Sequence, residues 1–157
     1  MHVAVFNGSP RRNGNTARLC KLFCETLAAE DISSEIIQVG GVRVHGCLEC
    51  NHCRRSGEEV CVQKDDPFNE WFEKMRAADG IVLATPVFVG NVTSEMKALI
   101  DRACYISRMR VRVQGQDNIF KHKVAAPLIA VRRAGAMQAY FNIMSWFAIS
   151  DMIVPTS

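Results

Sequence analysis

Four of the seven cysteines in this 157-residue chain fall close together, as Cys47-Leu-Glu-Cys50-Asn-His-Cys53 with Cys61 eight residues further on. Thiolates spaced by two residues can converge on one centre, and the distal cysteine supplies a fourth ligand. Structural zinc usually joins two separated Cys-x-x-Cys pairs, so a tight triple with a distant fourth lies nearer to iron–sulfur ligation. It is not the bacterial ferredoxin run, because no proline follows Cys61. Three readings stay open: an iron–sulfur cluster of the [4Fe–4S] type on Cys47, Cys50, Cys53 and Cys61, free or redox-active thiols, and a zinc site. Cys20, Cys24 and Cys104 fall on predicted helices and are read as packing residues. His45 and His52 flank the motif and are expected in solvent rather than on a metal.

A second concentration of polar side chains runs from Ser9 to Thr16 as Ser-Pro-Arg-Arg-Asn-Gly-Asn-Thr. The apolar run Val3 to Phe6 before it reads as a strand covered on both faces. After it, Leu19, Leu22, Phe23 and Leu27 recur at helical spacing, which puts the loop at a helix N terminus where unpaired N–H groups favour an anion. The loop lacks both the Lys-Ser/Thr of a Walker motif and the glycine pattern of a dinucleotide fingerprint. It offers the hydroxyls of Ser9 and Thr16, the amides of Asn13 and Asn15, and the guanidinium groups of Arg11 and Arg12. Many short donors suit the three oxygens of a terminal phosphate better than a bridging pyrophosphate. The same residues would also make an ordinary surface turn with solvated arginines.

The elements that must position these residues alternate between strand and helix. Further strands are predicted at Ser34 to Val39, Gly80 to Thr85, Lys123 to Val131 and Met152 to Val154; helices are predicted from Phe68 through Met75, over Thr93 to Tyr105, and over Met137 to Ile149. Residues 40–66 are expected to be irregular. Such alternation gives a doubly wound parallel sheet, whose ligands bind beyond the carboxyl ends of its strands. Two more loops then qualify as site-forming, Thr85 to Thr93 and Arg132 to Gly135. Pro86, Val87, Phe88 and Val89 are apolar at a strand exit: either a large flat ligand covers them, or Phe88 folds back onto the core. Gly135 either permits close approach to a ring or simply starts the next helix. Pro127, inside a predicted strand, has no account at this level.

Composition bounds the remainder. A chain with 48% hydrophobic and 22% charged residues reads as one soluble globular domain. No apolar run is long enough to span a membrane, and Met1 leads into a strand without a signal peptide, so a cytoplasmic protein is expected. A net charge of +3 does not by itself call for nucleic acid, and the basic residues between Arg102 and Arg133 read as a solvated face. Trp146 and Phe147, placed on an exposed helix face, suggest self-association.

Taken together, Gly8 to Thr16, the compact cysteines, Thr85-Pro-Val-Phe88 and Met96-Lys-Ala-Leu-Ile-Asp-Arg102 resemble the iron–sulfur flavoproteins, within the NADPH-dependent FMN reductase group of flavodoxin-like proteins. The resemblance runs from the first strand to Val154. It implies a three-layer α/β sandwich with a five-stranded parallel sheet in the order 2-1-3-4-5, as one domain over residues 1–157 with a cysteine-rich insertion at 43–66. A covering helix is expected after strand five and is missing before Ser157, which suggests a truncated chain or cover from a partner. The resemblance implies FMN, with its phosphate at Ser9, Arg11, Asn13, Asn15 and Thr16. The flavin ring would lie against Pro86, Val87, Phe88, Gly90 and Asn91, with Ala134 and Gly135 closing another side. It also implies a homodimer or homotetramer in which the cluster sits near a neighbour's flavin.

The function this implies is an FMN-dependent oxidoreductase passing electrons between a reduced donor, the flavin and a [4Fe–4S] cluster, with a redox partner protein or NAD(P)H as donor and no side chain needed as nucleophile or base. The alternative is an NAD(P)H-dependent FMN or quinone reductase with unassembled cysteines, in which Arg132 and Arg133, or the stretch Arg108 to Arg112, receive the 2′-phosphate of NADPH. A zinc module binding nucleic acid through Arg54, Arg55 and Lys64 would leave both strand-exit loops unexplained and has too few interleaved aromatics.

Overall fold

The computed structural model describes residues 1–155, in which β1 (His2–Asn7), β2 (Ser33–Gln38), β3 (Gly80–Pro86) and β4 (Val124–Ala130) pair in parallel in the order β2-β1-β3-β4. The helices are α1 (Asn15–Ala29), α2 (His52–Ser56), α3 (Phe68–Ala77), α4 (Ser94–Gln114) and α5 (Ala136–Ile149). β1 and β3 are central, and their unbroken apolar runs are buried on both faces. Ala4, Phe6, Ile81 and Leu83 face the layer of α3, α4 and α5, whereas Val3, Val5, Val82 and Ala84 face α1 through Cys20, Phe23, Cys24 and Leu27. Alternate residues of each strand thus feed two cores, and the chain is a three-layer α/β sandwich of flavodoxin type. No helix among the described residues is long and apolar enough to cross a membrane.

The expected fifth strand is reduced to one parallel bridge, Val124 with Ile153. There the Ala125 N–H donates to the Ile153 carbonyl and the Ile153 N–H to the Lys123 carbonyl, both at 2.9 Å. In a parallel ladder the next two donors would be the N–H groups of residues 155 and 127, and both are proline. The same geometry accounts for Pro127: its nitrogen points, like that of Ala125, to the outer edge of β4, where no β3 hydrogen bond is lost. The sheet described therefore has four strands rather than five, and the covering helix expected beyond lies outside the described residues.

Three further elements depart from expectation. Helix α4 runs nine residues past its predicted end at Tyr105, to a cap at Gly115 with φ +64°, because Ile106 and Met109 prolong the buried stripe between the arginines. A single helical turn, α2, forms within the segment expected to be irregular, between left-handed Asn51 and Gly57. Trp146 and Phe147 are buried rather than exposed: Trp146 packs edge-on against Phe120, 5.4 Å between ring centres, so these rings belong to the core and offer no association face.

The ends of β1 and β2 meet so closely that a Cβ on Gly40 would lie 2.3 Å from both the Gly8 carbonyl oxygen and the Ser9 carbonyl carbon. Replacing Gly40 by alanine should push the Ser9 loop aside and lower unfolding stability by about 1–3 kcal/mol, read by urea denaturation. Gly46→Ala, where nothing lies within 4 Å of the added carbon, is the matched control and should leave stability unchanged.

Candidate functional site

Helix α1 begins at Gly14 in an extended conformation, with no side chain capping its first turn and no acidic residue in it. Its leading N–H groups are therefore free to bind an anion. The loop before it is held by its own polar groups: the Ser9 N–H donates to Asn7 Oδ1 at 3.1 Å, the Arg11 N–H to Ser9 Oγ at 3.2 Å and the Gly14 N–H to the Arg11 carbonyl at 3.0 Å. From beneath, Gln38 Nε2 donates to the carbonyls of Ser9 and Gly40, at 2.7 and 2.6 Å. Gly8 joins this loop to the next strand exit, its N–H donating to the Ala84 carbonyl at 2.7 Å while its own carbonyl accepts Thr93 Oγ1 at 2.9 Å.

That second exit, Pro86 to Thr93, closes as a small hairpin in which Phe88 and Asn91 exchange hydrogen bonds at 2.9 and 3.0 Å. Val89 at φ +46° and Gly90 at φ +75° make its tip, and a β-branched residue with positive φ is a strained choice there. Phe88 is half exposed instead of folding onto the core. The third exit packs on the second: a Cβ on Gly135, at φ +97°, would sit 2.8 Å from the Gly90 Cα and 2.9 Å from Val87 Cγ1.

One cleft of about 930 Å³ runs between the three exits. Ser9, Arg11, Asn15 and Thr16 line its polar end, and Pro86, Val87 and Phe88 one apolar wall. Asn13, Gly90, Asn91, Ala134 and Gly135 lie on the same loops but not on the cleft surface. The opposite wall is Ile129, Ala130 and Val131, with Arg132 at the rim, and of these only Arg132 was singled out from the sequence. The rule that ligands sit beyond strand ends would have nominated all four, since they close β4. Among the described residues the cleft carries two arginines and no carboxylate, so it favours an anion at one end and a flat apolar body in the middle.

The four cysteines line a separate recess with Leu48, Val62, Tyr105 and Ile106. Cys47 and Cys50 are exposed and Cys53 and Cys61 half buried. Burial pushes the Cys53 thiol above its ordinary value, and the nearby Cys47 and Cys61 add to that by repulsion between thiolates. Among the described residues no three His, Cys, Asp or Glu side chains converge as they would on a single metal ion. A four-iron cluster asks for something different, four thiolates spread around a larger core, and four thiols on one recess fit that demand. His45 Nε2 lies 3.5 Å from Asp65 and His52 Nε2 3.9 Å from Glu58. Cys20, on the inner face of α1, is fully buried, and desolvation raises its thiol to about 12, an inert packing residue.

A buried ion pair holds the cysteine segment in place. Arg102, on α4, bonds Asp66 at 2.5 Å, the His45 carbonyl at 3.1 Å and the Gln63 carbonyl at 3.3 Å, and its guanidinium lies 4.0 Å over the Phe68 ring. It thus grips the chain on both sides of the cysteines. Tyr105 adds a bond from its hydroxyl to Asn51 Oδ1 at 2.6 Å, and Arg110 pairs with Glu59. Local pattern could not reveal these contacts, which join α4 to residues 36 and 54 positions earlier.

Residues 1–157, the whole chain, match the family model described as NADPH-dependent FMN reductase. An iron-sulfur flavoprotein of Methanosarcina thermophila is 32% identical over 156 residues, covering 98% of this chain and 76% of that protein. One from Methanocaldococcus jannaschii is 34% identical over 154 residues, covering 98% and 75%. Among solved structures, an NAD(P)H:quinone oxidoreductase from Methanothermobacter marburgensis superposes with a TM-score of 0.71 at 16% identity, covering 99% of this chain and 82% of that one. A flavodoxin from the domain Archaea gives 0.64 at 13% identity, over 100% and 80%. These two establish likeness of fold.

Asp66 is where the cysteine segment meets pH. Burial works to raise its carboxyl, but the Arg102 hydrogen bond and the N–H groups of His45 and Phe68 outweigh it and hold the group below the usual carboxylate range. A depressed folded value means that this stability is complete above the unfolded value of about 3.9 and is lost as pH falls through the folded one. Asp66→Asn should cost about 3 kcal/mol at pH 7 and flatten the fall in stability below about pH 4. Urea titrations at several pH values read both effects, and a variant as stable as the parent at pH 7 would contradict the pair's role.

Proposed function

We propose that this chain, which belongs to the NADPH-dependent FMN reductase family and is an FMN-dependent oxidoreductase, relays electrons between a reduced donor, FMN in the strand-exit cleft and a [4Fe–4S] cluster on Cys47, Cys50, Cys53 and Cys61. The observation that carries the reading is the continuity of the cleft: an anion loop and an apolar slot are two ends of one space. In this reading Ser9, Arg11, Asn13, Asn15, Thr16 and the first N–H groups of α1 hold the FMN phosphate. Pro86, Val87 and Phe88 face the ring, and Gly90, Asn91, Ala134 and Gly135, on the same two loops, back that wall, Gly135 packing on Gly90 and Val87. When bound, FMN supplies two-electron chemistry that can be divided into single steps, and a cluster carries one electron at a time.

The protein's own contribution is placement and electrostatics. Arg11 and the α1 dipole offset phosphate charge, while the apolar walls exclude water from the ring. The described lining of the cleft holds no His, Asp or Glu, in keeping with chemistry carried by the flavin itself. The gathering of the four thiols on one recess, together with relatives named iron-sulfur flavoprotein, supports the cluster half. A second reading, an NAD(P)H-dependent FMN or quinone reductase without a cluster, is favoured by Arg132 at the cleft rim, where it would meet an anionic group of the dinucleotide.

If the loop grips phosphate, riboflavin should bind at least about 100-fold more weakly than FMN, since several charge-assisted hydrogen bonds are forgone. Thr16→Ala should weaken FMN roughly tenfold and leave riboflavin unchanged. Fluorescence titration reads both constants, and equal affinity for the two flavins would refute the phosphate assignment. Cys50→Ser should abolish iron and acid-labile sulfide in anaerobically purified protein while FMN binding persists.

A further inference from the structure

Arg102 lines the cysteine recess, and its side chain is only 1% exposed. Two of its three nitrogens are taken: Nη1 donates to Asp66 Oδ2 and the His45 carbonyl, and Nη2 to the Gln63 carbonyl. Nε is buried and has no acceptor among the described residues. A buried charged donor without a partner is costly, and it calls for an acceptor that the protein atoms do not supply. The recess wall carries the four thiols with Val62 and Ile106, and also the polar side chains of Asn51, His52, Gln63 and Tyr105, none of which accepts from Nε.

We infer that the Arg102 Nε–H is a hydrogen-bond donor reserved for a sulfur atom of the group held by Cys47, Cys50, Cys53 and Cys61, and that Arg102 thereby sets the reduction potential of that group. This rests on the reading of the four cysteines as cluster ligands. A reduced cluster carries one more negative charge than an oxidised one, so a fixed cation and a donor aimed at sulfur favour reduction. The surroundings make the effect strong and steady. Asp66 and two backbone carbonyls fix the guanidinium, the Phe68 ring closes one side of it, and little water is left to screen it. Asp66 offsets part of the charge, which leaves the directed N–H as the part no other residue can replace. Arg102 is accordingly a positioning residue for the segment and a tuning residue for its centre.

The test uses whole, anaerobically reconstituted protein grown with arginine labelled with ¹⁵N at Nε. Iron and acid-labile sulfide are assayed first; their absence overturns the cluster reading and this inference with it. With iron present, pulsed EPR of the reduced centre should show a ¹⁵N coupling that vanishes in Arg102→Lys. That variant keeps a cation opposite Asp66 but has no Nε–H, and its potential should shift to more negative values with iron content unchanged. Because Arg102→Lys itself could unfold the segment, the double variant Arg102→Met/Asp66→Leu replaces the pair by apolar groups and should show the same direction of shift. An iron-loaded parent without ¹⁵N coupling, or folded variants whose potential equals the parent's, overturns the inference and leaves the cluster reading standing.

Discussion

The end of β1 is bonded from both sides, and the cleft depends on it. The Asn7 carbonyl accepts the N–H groups of Val39 and Gly40 at 2.9 and 3.0 Å, and Gly8 exchanges bonds with the Ala84 carbonyl and the Thr93 hydroxyl. Three strand exits are thereby fixed against one another at one end of the sheet. No side chain fits between them: a Cβ on Gly8 would come within 2.9 Å of Met96 Cε, and one on Gly40 would strike the β1 backbone. A parallel sheet supplies the common exit side, and glycines at the crossing allow the loops to lie close enough to share a ligand.

Helix α4 carries this constraint from the cleft to the cysteines. Its cap, Thr93, holds Gly8; nine residues on, Arg102 holds both flanks of the cysteine segment; Tyr105 then reaches Asn51. At 1.5 Å per residue the two anchoring points lie roughly 13 Å apart along one continuous helix. The cysteine segment has little regular structure of its own, with a single helical turn at His52–Ser56. Its shape comes from α4 and from Asp66 and Asn69, the latter bonding the Cys61 N–H and carbonyl, each at 2.9 Å.

What could be read from the sequence was what is local. The anion loop, the alternation of strand and helix, the four cysteines and the apolar strand exit are each carried by residues within a few positions of one another, so types and spacing sufficed. The length of α4 was hidden because arginines at 108, 110 and 112 interrupt its apolar stripe, and only packing shows Ile106 and Met109 to lie on the buried side. Pro127 made sense only once β4 was seen to be an edge. Arg102 read as part of a basic surface, whereas it is buried under a partner 36 residues earlier. Trp146 and Phe147 were misplaced for the same reason: Phe120, which packs edge-on against Trp146, lies in the connection between α4 and β4, far off in sequence.

The central claim is that one fold holds two redox centres, an FMN in the cleft and a cluster at the cysteines. Anaerobic reductive titration of the reconstituted protein, followed by visible absorption, counts their electrons directly. The account predicts about three electron equivalents per chain, two bleaching the flavin and one the broad cluster absorption. An endpoint at about two equivalents, with only the flavin bands changing, would contradict it.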